Sequence, residues 1–396
     1  MIRFERTVYL LWALHAVAVG LVACTSPPET LEPTPQISVT YYPAATPTPQ
    51  PMPIAASFIE PEGTSTQTSG LAAPAVPSST PAPSFPLPGP SALLAGIRHE
   101  HQTWNNCGPA TVSMLLSYFG RTETQRHAAR FLKPDREDKN VSPDELAAYA
   151  RSLGLEARVI AGGDLNLIRT FVANGLPVIV ETWFIPEPND EMGHYQLVIG
   201  YDEDELIFYD SYQGPDVRAP IAQFDPLWKV FNRTMLVAYT APTRLLVEAI
   251  LGERADERMM YEHALAQAQA EVAADPRDKF AWFNVGTNLL ALGDVAGAAD
   301  AFDKARALKL PWRMLWYQFG PYVAYFELGR YADVIELATA TLRRTKNLEE
   351  SLYWRGRAYA AIGNVKAARA DFQAALRFNP HYAAAREALD AMGMSR

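Results

Sequence analysis

The chain has 396 residues, too many for one ordinary domain and enough for two or three, and 48% of them are hydrophobic, which supplies a sizeable core. Its formal net charge is −9 and it holds no block of Lys or Arg, which argues against a nucleic-acid partner. Its two cysteines, Cys24 and Cys107, exclude a disulfide framework, although a single bridge between them satisfies the count.

The N-terminus reads as a targeting segment. Arg3 and Arg6 precede an apolar run over residues 7–22, broken only by His15. The run is short for a membrane span, which needs about 20 residues. It ends in Leu21-Val22-Ala23-Cys24, which resembles the lipobox of bacterial lipoproteins. The resemblance implies cleavage before Cys24, a thioether lipid on its sulfur, and an extracytoplasmic protein held to a bacterial membrane by that lipid. An uncleaved signal anchor is the alternative.

Residues 24–95 change composition abruptly. Seventeen of the 31 prolines lie between Pro27 and Pro90, among Thr, Ser, Ala and Gln, without a Lys or Arg. Such a stretch cannot bury enough surface to offset its ordering entropy, so it is expected to be a disordered tether. Proline keeps it extended, at ~3.1 Å per residue, over at most ~200 Å. Recognition of the Pro-rich segment by a partner is the functional alternative.

Globular sequence begins near Gly96. The stretch from Cys107 to Gly120 predicts a helix, with Val112, Leu115, Leu116 and Phe119 at helical spacing and Gly120 suited to the position just past its end. A second helix is expected over residues 122–132. Ser142-Pro143-Asp144-Glu145 is a capping box with Pro at the first helical position, opening a helix that stops at Gly154. Asp164 can cap a fourth helix, ended by Gly175. The period then changes. Residues 177–183, 194–201, 205–209 and 234–239 are short runs rich in Val, Ile, Tyr and Phe and read as strands. Helices first and mostly antiparallel strands afterwards give an α+β domain over residues 96–242.

Residues 243–396 carry an internal period near 34. Trp282, Gly286, Leu289, Gly293, Ala298, Phe302 and Ala305 form one register; Gly356, Tyr359, Gly363, Ala368, Phe372, Ala375 and Pro380 form another. Tyr322, Tyr325, Gly329, Val334, Ala338 and Thr341 form a weaker one between them. The pattern is similar to the tetratricopeptide repeat, an all-α solenoid of antiparallel helix pairs. Pro321 departs from it and predicts an irregular or kinked middle repeat. A further degenerate unit is expected before Pro276, with Ala264 and Ala268 on its second helix, and a closing helix after Pro380. Such a solenoid offers a concave face for a protein partner.

The chemistry is concentrated in His99-Glu-His-Gln102-Thr-Trp-Asn-Asn-Cys107-Gly-Pro-Ala. At the start of a helix, the dipole and free N–H groups favour the thiolate of Cys107. Gln102 can aim its amide at an oxyanion, with a main-chain N–H near Cys107 as second donor. A thiolate needs a base. His194 opens one strand and Asp210 closes the next, so a hairpin brings them together as base and orienting carboxylate. Asp202 lies at the far end of the His194 strand, too distant for that role. His99 and His101 lack a third metal ligand at helical or hairpin spacing, and no phosphate-binding Gly-Lys-Ser/Thr loop occurs, so no metal or cofactor is expected.

These residues resemble the papain-like family of double-glycine leader peptidases, over roughly residues 96–240. The resemblance rests on a glutamine before Cys107-Gly-Pro-Ala, Gly193-His194-Tyr195 opening an apolar strand, and Tyr209-Asp210 closing the next. It implies Cys107 as nucleophile, His194 as base and acid, Asp210 as orienter and Gln102 in the oxyanion hole. Gln102 stands five residues before Cys107, where many papain-like enzymes have six. The expected function is a lipid-anchored, extracytoplasmic cysteine peptidase acting on peptides or proteins, its repeats docking a partner. The rivals are a catalytically idle peptide-binding module on the same fold and an amidase of cell-wall peptides.

Overall fold

The computed structural model describes residues 84–133, 135, 137–186 and 190–393, all within one compact unit. Cys24, the lipobox and the Pro-rich stretch as far as residue 83 lie outside the described residues.

In chain order the first part runs β1 (Ala92–Leu93), α1 (Cys107–Tyr118), α2 (Gln125–Leu132), α3 (Pro143–Ser152), β2 (Glu156–Ile160), α4 (Leu165–Ala173), β3 (Val178–Phe184), β4 (Met192–Tyr201), β5 (Glu205–Asp210), β6 (Gly214–Pro220), α5 (Ile221–Lys229) and β7 (Met235–Tyr239). The strands form a seven-stranded sheet of order β2-β7-β3-β4-β5-β6, with β1 beside β4, and every pairing is antiparallel. Helix starts follow local chemistry. The Ser142 hydroxyl accepts from Glu145 N while the Glu145 carboxylate accepts from Ser142 N at 2.7 Å, closing the capping box. Asp164 Oδ1 accepts from Leu167 N at 2.8 Å. Gly120, at φ +75°, and Gly175, at φ +78°, turn the chain out of α1 and α4.

Strand alternation builds a core on each face of the sheet. Ile179 of β3, Leu197 and Ile199 of β4, and Leu236 and Ala238 of β7 pack under α1–α3. Val178, Val180, Val198, Met235 and Val237 pack on the opposite face with α4 and α5.

The second part is helical: α6 (Arg244–Leu251), α7 (Glu257–Ala274), α8 (Lys279–Ala291), α9 (Val295–Ala307), α10 (Gly320–Glu327), α11 (Tyr331–Arg344), α12 (Glu349–Ala361), α13 (Val365–Phe378) and α14 (Ala383–Ala391). None of the described helices is long and apolar enough to cross a membrane. The repeat register has a steric origin. A Cβ added to Gly286 would lie 2.6 Å from Phe302, and one added to Gly356 would lie 2.7 Å from Phe372, so each glycine is the hole that its partner helix fills.

Two expectations need correction. The middle repeat is irregular, as Pro321 implied, but without a kink: Pro321 sits in the first turn of α10, which is only 8 residues long. The second helix begins at Gln125 rather than at 122, behind Thr124 as N-cap. The unit before Pro276 is half a repeat. Helix α7 packs along α8, with Ala268 against Val285 and Ala301, but Ala264 and Met260 join Val247, Ile250 and Leu251 of α6 in the core under the sheet.

Candidate active site

Cys107 is the first residue of α1, half-buried, and its thiol is free. The loop before it is pinned from α2. Buried Gln125 accepts from Thr103 N at 2.7 Å and from Asn106 Nδ2 at 3.2 Å, and donates to His101 O at 2.7 Å. Asn105 has φ 58°, a left-handed conformation that Asn tolerates better than most residues. Its side chain donates to Asp138 O, and Lys133 Nζ donates to its carbonyl. The bend that presents the sulfur at the helix N-terminus is thus fixed by side chains of α2 and its C-cap and by the Asp138 carbonyl.

His194 and Asp210 come from the β4–β5 hairpin. The residue opposite Asp210 is Gln196, and His194 lies two residues along on the same side of β4. His194 Nε2 donates to the Asp210 carboxylate, 3.0 Å from each oxygen. Asp210 is fully buried, and its carboxylate also accepts from Gln196 Nε2 (2.8 Å), Tyr212 N (2.7 Å) and Gln213 N (2.9 Å). The imidazole and Cys107 also influence each other's charge. With Nε2 on the carboxylate, Nδ1 is the nitrogen left for the sulfur. Phe184 lies over the imidazole, with ring centroids 5.0 Å apart.

The electrostatics follow from this chain of contacts. Burial alone would raise the Cys107 thiol; the hydrogen bond and charge of His194, the Tyr195 main chain and the Lys133 charge outweigh it and hold the thiol below its ordinary value. Burial would likewise lower His194, but Asp210 and Cys107 raise it to about 10. Asp210, despite burial, is held at about 2 by His194 and the two main-chain donors. These contacts therefore favour thiolate, imidazolium and carboxylate in sequence over the neutral forms.

Gln102 joins the same corner. Its N–H donates to Ser211 O at 2.8 Å, and its Oε1 accepts from the Ser211 hydroxyl at 2.8 Å. With the amide oxygen so engaged, the NH₂ group is the one it presents. His99 donates from Nε2 to the main-chain oxygen of Asp210 at 2.9 Å, so the 99–102 segment is tied along 210–211. His101 is exposed, its ring edge-on to His99 with centroids 4.6 Å apart. Asp202 stands apart from the site in an ion pair with Arg218, 2.5 Å long. Among the described residues, no group of three His, Cys, Asp or Glu side chains is disposed to hold a metal ion.

Sequence reasoning missed four residues here. Gln196 carried a signal, since a strand's period of two puts it beside His194 facing Asp210. Gln125 and Lys133 act across the fold and left no local mark. Glu181 is buried near Cys107, and burial followed by the Cys107 charge pushes its carboxyl well above the usual range.

Comparison with known proteins adds the following. Residues 95–235 match the model of the Peptidase_C39 like family, and residues 349–382 match a tetratricopeptide repeat. The chain thus carries a C39-like peptidase domain followed by tetratricopeptide repeats. No curated protein matches it. Among solved structures, a protein of Bacillus anthracis described as a C39-like peptidase is 18% identical, covering 38% of this chain and 98% of that one, with a TM-score of 0.33. The peptidase domain of Streptococcus ComA, a bi-functional ABC transporter, is 20% identical, covering 37% and 99%, with a TM-score of 0.31. MamA from Desulfovibrio magneticus is 18% identical, covering 35% and 87%, with a TM-score of 0.29.

Proposed function

We propose that this chain, a C39-like peptidase domain with tetratricopeptide repeats, hydrolyses peptide bonds through Cys107, His194 and Asp210. The observation that carries the reading is the buried His194 imidazole, hydrogen-bonded to the Asp210 carboxylate and electrostatically coupled to the free thiol of Cys107. The thiolate attacks the scissile carbonyl, forming a C–S bond and an oxyanion that the Gln102 amide and the Cys107 N–H stabilise. The His194 imidazolium gives its proton to the leaving amine as the C–N bond breaks. A water then loses a proton to His194 and attacks the thioester, releasing the acid and restoring the thiolate. Asp210 keeps the ring oriented and supports its charge throughout.

Exposed Trp104, Ile185 and Tyr212 flank this site in sequence, apolar surface suited to peptide side chains. Lipidation at Cys24 would hold the domain outside the cytoplasm on a membrane, with the Pro-rich segment as tether and the repeats holding a protein partner. Replacing Cys24 with Ser should abolish incorporation of a fatty-acid label.

An epoxide thiol inhibitor tests the catalytic reading. The wild-type protein should be labelled at Cys107 and should cleave a mixed peptide library. Cys107→Ala and His194→Ala should do neither. Cleavage that survives Cys107→Ala would overturn it.

A further inference from the structure

The segment joining α9 to α10, residues 308–319, is longer than the corresponding connections 275–278 and 345–348. It is also unlike a loop in composition: Pro311-Trp312-Arg313-Met314-Leu315-Trp316-Tyr317-Gln318-Phe319. Turns between repeats need neither aromatics nor Arg at this density. The segment is built against the strand that carries His194.

Three ties hold it there. Arg313 Nη1 donates to Glu191 O at 2.9 Å, and its Nη2 pairs with Asp190 at 2.5 Å, at the entry to β4. Gln318 Nε2 donates to Val230 O at 3.0 Å. Tyr317 packs its ring against both Trp183 and Phe231, with centroids 6.1 and 5.9 Å away, and lies beside the main chain of Gly193. Trp183, Val230 and Phe231 accordingly share one apolar core with Phe283, Phe302 and Tyr322 of the repeats.

Gly193 is the residue before His194. A Cβ placed on it would lie 3.1 Å from the Tyr317 ring, 3.2 Å from Glu181 Oε1 and 3.2 Å from Phe231. The space beside its Cα is therefore filled by three side chains, one of them supplied by the repeats. Burial raises the Tyr317 hydroxyl well above its ordinary value, and the charge of Cys107 adds to the rise.

Resting on the thiol-peptidase reading above, we infer that Tyr317 is a positioning residue supplied by the repeats: through Gly193 it sets the His194 ring opposite Cys107. A catalytic group misplaced by about 1 Å costs on the order of 10²-fold in rate, so a clamp at this point governs turnover rather than substrate affinity. The repeats are then a structural part of the peptidase as well as a docking surface.

The test uses the full chain with Tyr317→Ala, Tyr317→Phe and, as a control for lost packing elsewhere in the repeats, Tyr353→Ala. Two readouts are taken on protein that circular dichroism shows to be folded: the pH dependence of Cys107 alkylation by iodoacetamide, and kcat and KM for a cleaved peptide. Tyr317→Ala should move the alkylation profile towards that of a free thiol and lower kcat by about 10- to 100-fold, with KM little changed. Tyr317→Phe, which keeps the ring and loses the hydroxyl, should recover most of kcat; should Tyr317→Ala not fold, Tyr317→Leu, which also loses the ring, takes its place with the same shifts expected. Tyr353→Ala should leave both readouts unchanged. A wild-type profile and kcat in both Tyr317 variants, or an equal change in Tyr353→Ala, overturns the inference and leaves the peptidase reading standing. A wild-type protein whose Cys107 reacts only as a free thiol removes both.

Discussion

Asp210 is the most constrained side chain of the site. It is fully buried, and its two oxygens accept from His194, Gln196 and two main-chain N–H groups. A buried carboxylate is tolerated only when so satisfied. The sign of its effect on stability follows from its value of about 2 against 3.8 unfolded: it stabilises above pH 3.8, and that contribution disappears as pH falls through 2. Asp210→Asn keeps the shape and several donors but removes the charge opposite the imidazolium. It should lower kcat on the order of 10²-fold, less completely than Cys107→Ala, as peptide-hydrolysis kinetics would register. Cys107, His194, Asp210 and Gln102 were readable because each sits in a short local pattern at a predicted element end. Glu181 and Gln125 were not, because burial and long-range contact alone mark them.

Among the elements, α3 and α4 announced themselves through caps, and buried strands through apolar runs. Helix α5, which has no side-chain cap and holds Pro226, did not, and neither did the two-residue β1 or two edge strands. Residues 214–220 hold Gly214, Pro215 and Pro220, which a central strand would exclude but the edge position of β6 permits. Residues 156–160 form β2 at the other edge, where Glu156 pairs with Arg244 and Arg158 reaches Ala255 O at 2.6 Å, so its outward residues are polar. The glycines of the repeat register, by contrast, were visible as a period and have a measurable role. Gly356→Ala forces a methyl to within 2.7 Å of Phe372. It should destabilise the chain by about 1–3 kcal/mol, visible as a lower urea midpoint, while alkylation of Cys107 stays unchanged.

At the scale of the whole molecule, the two parts meet in a second place besides the Tyr317 clamp. Asn140 Nδ2 donates to Glu350 Oε1 at 2.9 Å, and Asn347 Nδ2 donates to Glu137 O at 2.6 Å. Buried there together are Asp138, Glu349 and Glu350, with Glu145 nearby in α3. Burial and the repulsion of neighbouring carboxylates raise Glu349 to about 7 and push Asp138 and Glu350 well above the carboxylate range. Groups raised in the folded state stabilise it fully below their unfolded values, near 4, and lose that effect as pH rises through the folded ones. Thermal stability should therefore fall between about pH 4.5 and 7, and Glu350→Gln should flatten that slope; a slope unchanged in Glu350→Gln would count against this junction as its source. A sequence read domain by domain shows none of this, since Asn140 and Glu350 are brought together only by the fold.

The central claim is that Cys107 and His194 exist as an ion pair. Its most direct measurement is the rate of Cys107 alkylation by iodoacetamide against pH, in the full chain and in His194→Ala. The account predicts a wild-type rate that is already high near neutrality and level up to about pH 10, where His194 loses its proton. In His194→Ala the rate should instead rise only through the free-thiol range, near pH 8.5. Superimposable profiles for the two proteins, both rising near pH 8.5, would contradict it.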